Sequence, residues 1–222
     1  MNTLLIRLAA PLQAWGVQSN FGVRDSGREP SKSGVIGLIC AALGRPRTAP
    51  LEDLSALRMG VRVDREGSLR RDFQIAQDVL ASSGKGTKGS ITSSRYYLSD
   101  AAFLVGLESD DLPLLESVQA ALRAPVWTLF LGRKACPPAG PVWLADGLRT
   151  GLSLEKALQT YGWICSRRSG KTPEKLRVVI DDPAGEQLRP DVPVSFAERR
   201  FSSRRVHTYL IDAPSTVALE VF

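Results

Sequence analysis

Alternating apolar residues at the start of the chain, two stretches of helical spacing further on, and a proline-rich break at 137–141 predict an α+β fold. Residues 1–136 read as strand, helix, strand, hairpin, strand, helix, strand. With the hairpin set aside this is the βαββαβ order of ferredoxin-like domains, shared by RNA-recognition motifs. Residues 137–222 read as a smaller C-terminal β-rich region. The expectation is a modified RNA-recognition fold with a protruding hairpin and a C-terminal addition.

Leu4, Ile6 and Leu8 alternate with Leu5 and Arg7 in a first strand, broken at Pro11. Pro30-Ser31-Lys32-Ser33 carries the stop-and-cap chemistry of a helix N-terminus. Apolar residues at 35, 36, 38, 39, 42 and 43 follow at helical spacing, and Gly44 suits the C′ position. Gly34 and Gly37 each cost roughly 1 kcal/mol relative to alanine inside a helix, so another part of the chain must approach this face. Met59, Val61 and Val63 alternate in a second strand over Leu57–Asp64. Phe73–Val79 and Ile91–Leu98 flank the glycine-, serine- and lysine-rich Ser82–Ser90, which has nothing to bury and should project as a hairpin tip. Ala102–Leu107 is a buried third strand. Asp110-Asp111 caps a helix with Leu112, Leu115, Val118 and Leu122 on one face, and its acidic start suits the dipole. Val126–Leu131 reads as the fourth strand. Past Pro137-Pro138-Ala139-Gly140-Pro141 come a short helix (Leu154–Tyr161), a basic loop (Ser166–Lys171), a strand (Leu176–Ile180) and a charged strand running through Glu198–His207.

The 222 residues carry 29 basic and 23 acidic side chains, a formal charge of +6 that mildly favours a polyanionic partner. Cys40, Cys136 and Cys165 are odd in number and form no C-x-x-C, so neither a disulfide framework nor a zinc site is indicated; they suit a reducing cytoplasm. No signal-peptide plan and no bilayer-length apolar run are present. His207 is the sole histidine, which restricts acid–base and metal chemistry.

Ser31, Lys32, Ser33 and Gly34 stand where free N–H groups and the positive end of the helix dipole collect. That arrangement is an anion seat, most commonly filled by phosphate. The glycines of a Walker loop are absent before Lys32-Ser33, and the apolar centre of Gly34-Val35-Ile36-Gly37 fits a buried helix better than a KH clamp. An ordinary capped helix with a solvated lysine fits the same residues. Trp15, beside Gly16, is either a hydrophobic plug or a surface for stacking a base. The loop after it passes through Arg24 and Arg28 into the helix. Lys85 and Lys88 make the hairpin tip a basic finger for RNA or a neighbouring subunit, or else a plain surface loop. Arg199, Arg200, Arg204 and Arg205 precede His207 in a phosphate-contacting cluster or a solvated edge strand. The aromatic signature of RNA-recognition motifs is missing from Asp100–Leu107, so loops and helix ends, rather than the open sheet, are the expected contact surfaces.

Five blocks resemble a known family in the same order: Leu8–Gly16 with Gln13 and Trp15, Pro30–Gly44, Arg95–Ala101, Leu131–Pro137, and Arg200-Phe201-x-x-Arg204-x-Val206. Spread over nearly the whole chain, they are similar to the CRISPR-associated protein 5 family of the type I-E complex Cascade. The resemblance implies a non-catalytic cytoplasmic subunit that needs no cofactor or metal and caps the 5′ handle of the CRISPR RNA. It implies a thumb at about 72–98, contacts to the backbone subunit CasC and the large subunit CasA, and only indirect contact with target DNA. It puts the handle against Trp15, Lys32, Ser33, Gly34, Arg133, Lys134, Arg200 and Arg204. Joined to the residue-level candidates Gln13, Arg24, Ser31, Lys85, Lys88, Arg95, Tyr96 and His207, these form the expected RNA-binding set.

The rival reading is a metal-independent endoribonuclease for the RNA precursor. Such cleavage needs an acid and a base within reach of the 2′-OH and the leaving oxygen. A single histidine without a lysine partner in its pattern argues against it, and no catalytic residue is assigned. A protein-only adaptor is a third class, and it would leave the anion seat unexplained.

Overall fold

A computed structural model describes residues 1–16, 22–165 and 173–215. Its elements are β1 (Asn2–Ala9), β2 (Leu12–Gln13), β3 (Val23–Arg24), α1 (Lys32–Leu43), α2 (Glu52–Ser55), β4 (Arg58–Arg65), β5 (Ser68–Leu80), β6 (Thr87–Ser99), β7 (Ala102–Ser109), α3 (Leu112–Arg123), β8 (Trp143–Thr150), α4 (Leu154–Thr160), β9 (Lys175–Asp181), β10 (Gln187–Ser195) and β11 (Arg200–Asp212). Seven strands pair antiparallel in the order β10-β11-β9-β4-β7-β1-β8. A smaller sheet is built on β6, which pairs with β5 along one edge and with β2 and β3 on the other.

Alternation in the strands separates two cores. Leu4, Ile6 and Leu8 of β1 face α1 and α3, together with Met59, Val61 and Val63 of β4. Leu5, Leu104, Val178 and Ile180 face α4 and Trp163 on the opposite side. Gly60 and Gly106 lie beneath α4, where an added Cβ would stand 2.7 Å from Leu158 and 2.5 Å from Leu154. Arg62 is fully buried on that face, paired with Asp64, and donates to the carbonyls of Leu158, Tyr161 and Gly162. A buried pair is tolerable only when satisfied in this way.

Both long helices have the expected caps. The Ser31 hydroxyl accepts from the Gly34 N–H, Gly44 turns left-handed at φ 70°, and the Asp111 carboxylate accepts from the Leu114 N–H. The hairpin is longer than its apolar flanks suggested: β5 and β6 each have 13 residues in continuous register. At 3.3 Å per residue each arm extends about 40 Å.

One expected strand is corrected. Val126–Leu131 is not a strand, because the N–H groups of Val126 and Trp127 donate to the carbonyls of Ala42 and Ala41 at the end of α1. The strand that follows α3 is β8, beyond the proline break. The break itself runs beside β1, with Ala139 N–H on Ala9 and Arg7 N–H on Val142, and delivers β8 to the same edge. Strands from both sides of residue 136 therefore share one sheet. The strand carrying the arginine cluster, β11, is interior, between β10 and β9. The basic loop Ser166–Lys171 lies outside the described residues.

Candidate nucleic-acid interface

The start of α1 is an anion seat, and its anion belongs to the protein. The Lys32 N–H donates to an Asp191 carboxylate oxygen at 2.8 Å. Arg204 holds the same carboxylate through Nε and Nη2, at 2.7 and 2.9 Å. The Lys32 ammonium donates at 3.1 Å to Asp181, which also accepts from Arg204 and from the Met59 N–H. Two cations and two carboxylates thus join α1 to β9, β10 and β11. Burial pushes the Asp191 carboxyl up, but the Arg204 hydrogen bonds and charge outweigh it and hold the group below its ordinary range. Burial lowers Arg204 while Asp191 and Asp181 raise it, with a net rise. Lys32 is 5% exposed and Ser31 likewise 5%, the latter engaged in capping Gly34.

Gln13 and Trp15 are also internal. The Gln13 amide donates to the carbonyls of Ala101 and Leu8 and accepts from the Trp15 indole N–H at 3.0 Å. The indole lies on α1 at Gly34, where a Cβ would stand 2.8 Å from the ring. Trp15 is therefore the plug, and Gly34 is glycine to receive it. In this structure the side chains of Gln13, Trp15, Ser31 and Lys32 are buried and that of Arg204 is largely so, each engaged by other groups of the chain. They hold the frame beneath the surface.

A second group of candidates is gathered at the root of the hairpin. Gly132 has φ 89° and a Cβ there would overlap the Ala14 carbonyl, two separate reasons for glycine, and the Leu131 and Cys136 backbones close the turn around Arg133 and Lys134. Arg133 reaches from this turn across β6. Its guanidinium lies 4.7 Å from the Tyr97 ring centroid and donates to the carbonyls of Tyr96, Arg24 and Asp25. It locks β3 to β6, where Arg24 stands in register with Arg95. Arg24 and Lys134 are exposed. Arg95 is half-buried, with its Nε shielded and without a hydrogen-bond partner. Among the described residues, none of these last three side chains meets a carboxylate. The aromatic that carries the cation is Tyr97, whereas sequence reasoning chose Tyr96, whose carbonyl alone is used. Tyr97 was legible only as one of two adjacent tyrosines, because which of them faces the turn depends on register.

The remaining candidates are dispersed. Lys85 and Lys88 lie at the hairpin tip, where an added Cβ at Gly84, Gly86 or Gly89 would meet nothing. Arg200 is exposed and paired with Glu198. His207 is exposed on β11, its ring stacked 5.6 Å from that of Tyr209. Ser33 is half-buried beside Ser31. Sequence reasoning missed Asp181 and Asp191, which carry no local pattern linking them to a helix about 150 residues earlier.

Comparison with known proteins adds to this geometry. The family described as "CRISPR-associated protein (Cas_Cas5)" matches residues 3–207. The chain is 34% identical over 172 residues to the CRISPR system Cascade subunit CasD of Escherichia coli (strain K12), covering 71% of this chain and 76% of that one. A solved structure titled "Crystal structure of Cas protein" superposes with a TM-score of 0.78 at 43% identity, covering 96% of this chain and 97% of that one. A chain from a "CRISPR RNA-guided surveillance complex" superposes with a TM-score of 0.80 at 30% identity, covering 98% and 93%. The resemblance carried by the five sequence blocks holds over the whole fold: the chain belongs to the Cas5 family of CRISPR-associated proteins.

Proposed function

We propose that this chain is the subunit of a type I-E surveillance complex that grips the 5′ handle of the CRISPR RNA without cutting it. The observation that carries the reading is the root of the hairpin. There Arg133 fixes two strands so that exposed Arg24 and Lys134 and half-buried Arg95 gather at one place, and among the described residues none of the three forms an ion pair with a carboxylate. Guanidinium and ammonium groups held in this way suit a bent phosphate backbone, with bases read where they are splayed out. The relatives support it, one being a Cascade subunit and another part of an RNA-guided complex.

In this reading the sheet β4-β7-β1-β8 with α1 and α3 is a ferredoxin-like core, since its strand order matches that fold, and the β5–β6 hairpin is the thumb. The division at residue 136 then separates the RNA-gripping part from a C-terminal part that completes the sheet and braces α1. The thumb and the outer strands are the surfaces offered to CasC and CasA, target DNA is met only through them, and the site of action is the cytoplasm. Nuclease activity is disfavoured by placement: His207 belongs to β11, while Lys134 and Tyr96 belong to the hairpin root.

The test is a mobility shift of the full chain on repeat RNA in the presence of a chelator. The expected result is a salt-sensitive shift with intact RNA, unchanged by His207→Ala and weakened about tenfold or more by a double Arg24→Ala, Arg95→Ala change. Cleaved product that disappears with His207→Ala would establish the nuclease instead.

A further inference from the structure

Every open sheet ends in strands whose outward N–H and C=O groups have no partner, and such edges recruit other strands unless they are guarded. The main sheet guards both of its edges. β10 carries Pro190 and Pro193 and two register shifts against β11, and β8 has an irregularity in its pairing with β1. In the small sheet, β2 and β3 have only two residues each. β5 is different. It is the outer strand of the hairpin, 13 residues long and without proline, in register with β6 on one side and paired with no described strand on the other.

Its side chains are equally bare. Phe73 and Ile75 are 57% and 58% exposed, and Leu69 and Leu80 are exposed with them. Alternation along the strand puts Leu69, Phe73 and Ile75 on one face and Arg70, Asp72, Gln74 and Ala76 on the other. A long, apolar, unguarded edge of this kind is what natural sheets avoid leaving open.

The sequence of β5 is also complementary to itself. Laid antiparallel against a second β5 with Gln74 on the two-fold axis, Phe73 stands opposite Ile75, Asp72 opposite Ala76, Arg71 opposite Gln77 and Arg70 opposite Asp78. Each opposition occurs twice. No like charges meet, and an aromatic residue lies beside a β-branched one at the centre, which are the favourable kinds of cross-strand pair. An axis at Ile75 would set Asp72 against Asp78 instead. Asp78 has a left-handed backbone (φ 51°), so the regular ladder runs from Arg71 to Gln77 and Asp78 marks its end.

We propose that free copies of this chain associate in pairs through β5, antiparallel about a two-fold axis at Gln74, joining two hairpins into one four-stranded ribbon. The self-complementarity argues for a second copy rather than an unrelated strand, because an isologous contact needs one segment to fit itself. The pairing does not rest on the handle reading, and an edge closed in this way is shut to any other strand.

The full-length chain, purified without RNA or other subunits, is followed by sedimentation velocity over a range of concentrations. Wild type should pass from monomer to dimer as concentration rises. Phe73→Lys with Ile75→Lys sets lysines against each other beside the axis. That variant should stay monomeric over the same range with an unchanged melting temperature, since both side chains are exposed. Register is read by oxidising single-cysteine substitutions. Gln74→Cys should cross-link to its own copy, because paired Cα atoms lie about 4.5–5.5 Å apart, within disulfide reach. Ala76→Cys should not, because its copy lies four residues along the partner strand, about 13 Å away. Cys40, Cys136 and Cys165 are buried, and wild type supplies their background. A wild type that stays monomeric overturns the proposal, as does a dimer that survives the two lysines or one that cross-links at 76 and not at 74.

Discussion

Trp15→Ala removes an indole that is 1% exposed and seated on Gly34. Large-to-small changes of this kind cost about 3–5 kcal/mol, so urea unfolding should shift to markedly lower denaturant. If Trp15 instead stacked a base in solvent, stability would hold and only RNA binding would fall. Gly132→Ala should be comparably damaging, since the new Cβ would overlap the Ala14 carbonyl and φ is already 89°. The readout there is loss of soluble, folded protein, and recovery of native stability would contradict the close approach. These residues show what single positions disclose. The sequence marked Trp15 and the two helical glycines as unusual and inferred a close approach. It could not pair Trp15 with Gly34, because their contact arises only when the loop after β1 closes over α1.

At the scale of elements, the start of α1 makes a pH prediction. Asp191 has its carboxyl held below the ordinary range in the folded chain. A depressed acid contributes stability that is complete above its unfolded value near about 4 and is lost as pH falls through the folded value. Asp191→Asn should therefore lower the melting temperature at pH 7, and its deficit relative to wild type should shrink as pH drops below about 4. Melts from pH 7 to pH 3 check this; a deficit constant across the range would contradict it. Cap, dipole and glycine C′ were all written in Pro30–Gly44, so the helix was legible to its ends. Its counter-ion was not, because Asp191 arrives from β10 by tertiary pairing. The hairpin was legible for the opposite reason: a segment with nothing to bury announces itself locally. Lys85→Ser with Lys88→Ser should leave the melting temperature unchanged, since the tip packs on nothing, while weakening RNA binding at low salt if the tip reaches the strand. A stability loss in that variant would show the tip to be packed after all.

Across the whole molecule, the sheet ignores the proline break that looked like a boundary. β8 covers the β1 edge and β9 covers the β4 edge, and both come from residues after 136. The apolar segment Val126–Leu131 reads in sequence as the closing strand. The N–H groups of Val126 and Trp127 are claimed by the end of α1, and only the folded chain reveals that competition. A clasp adds to the dependence: Arg177 of β9 binds both Glu66 at the hairpin root and Glu29 ahead of α1, and Glu29 also binds Arg189 of β10. A chain ending at residue 136 would expose two strand edges and strip the second core of α4, Trp163, Val178 and Ile180. Unpaired edges of that kind promote aggregation. Residues 1–136 expressed alone should therefore be insoluble or lack a cooperative melt. The same piece co-expressed with residues 137–222 should be recovered as a soluble, cooperatively melting pair. A cooperative melt from 1–136 alone would mean that the C-terminal strands are an accessory to a core able to close without them.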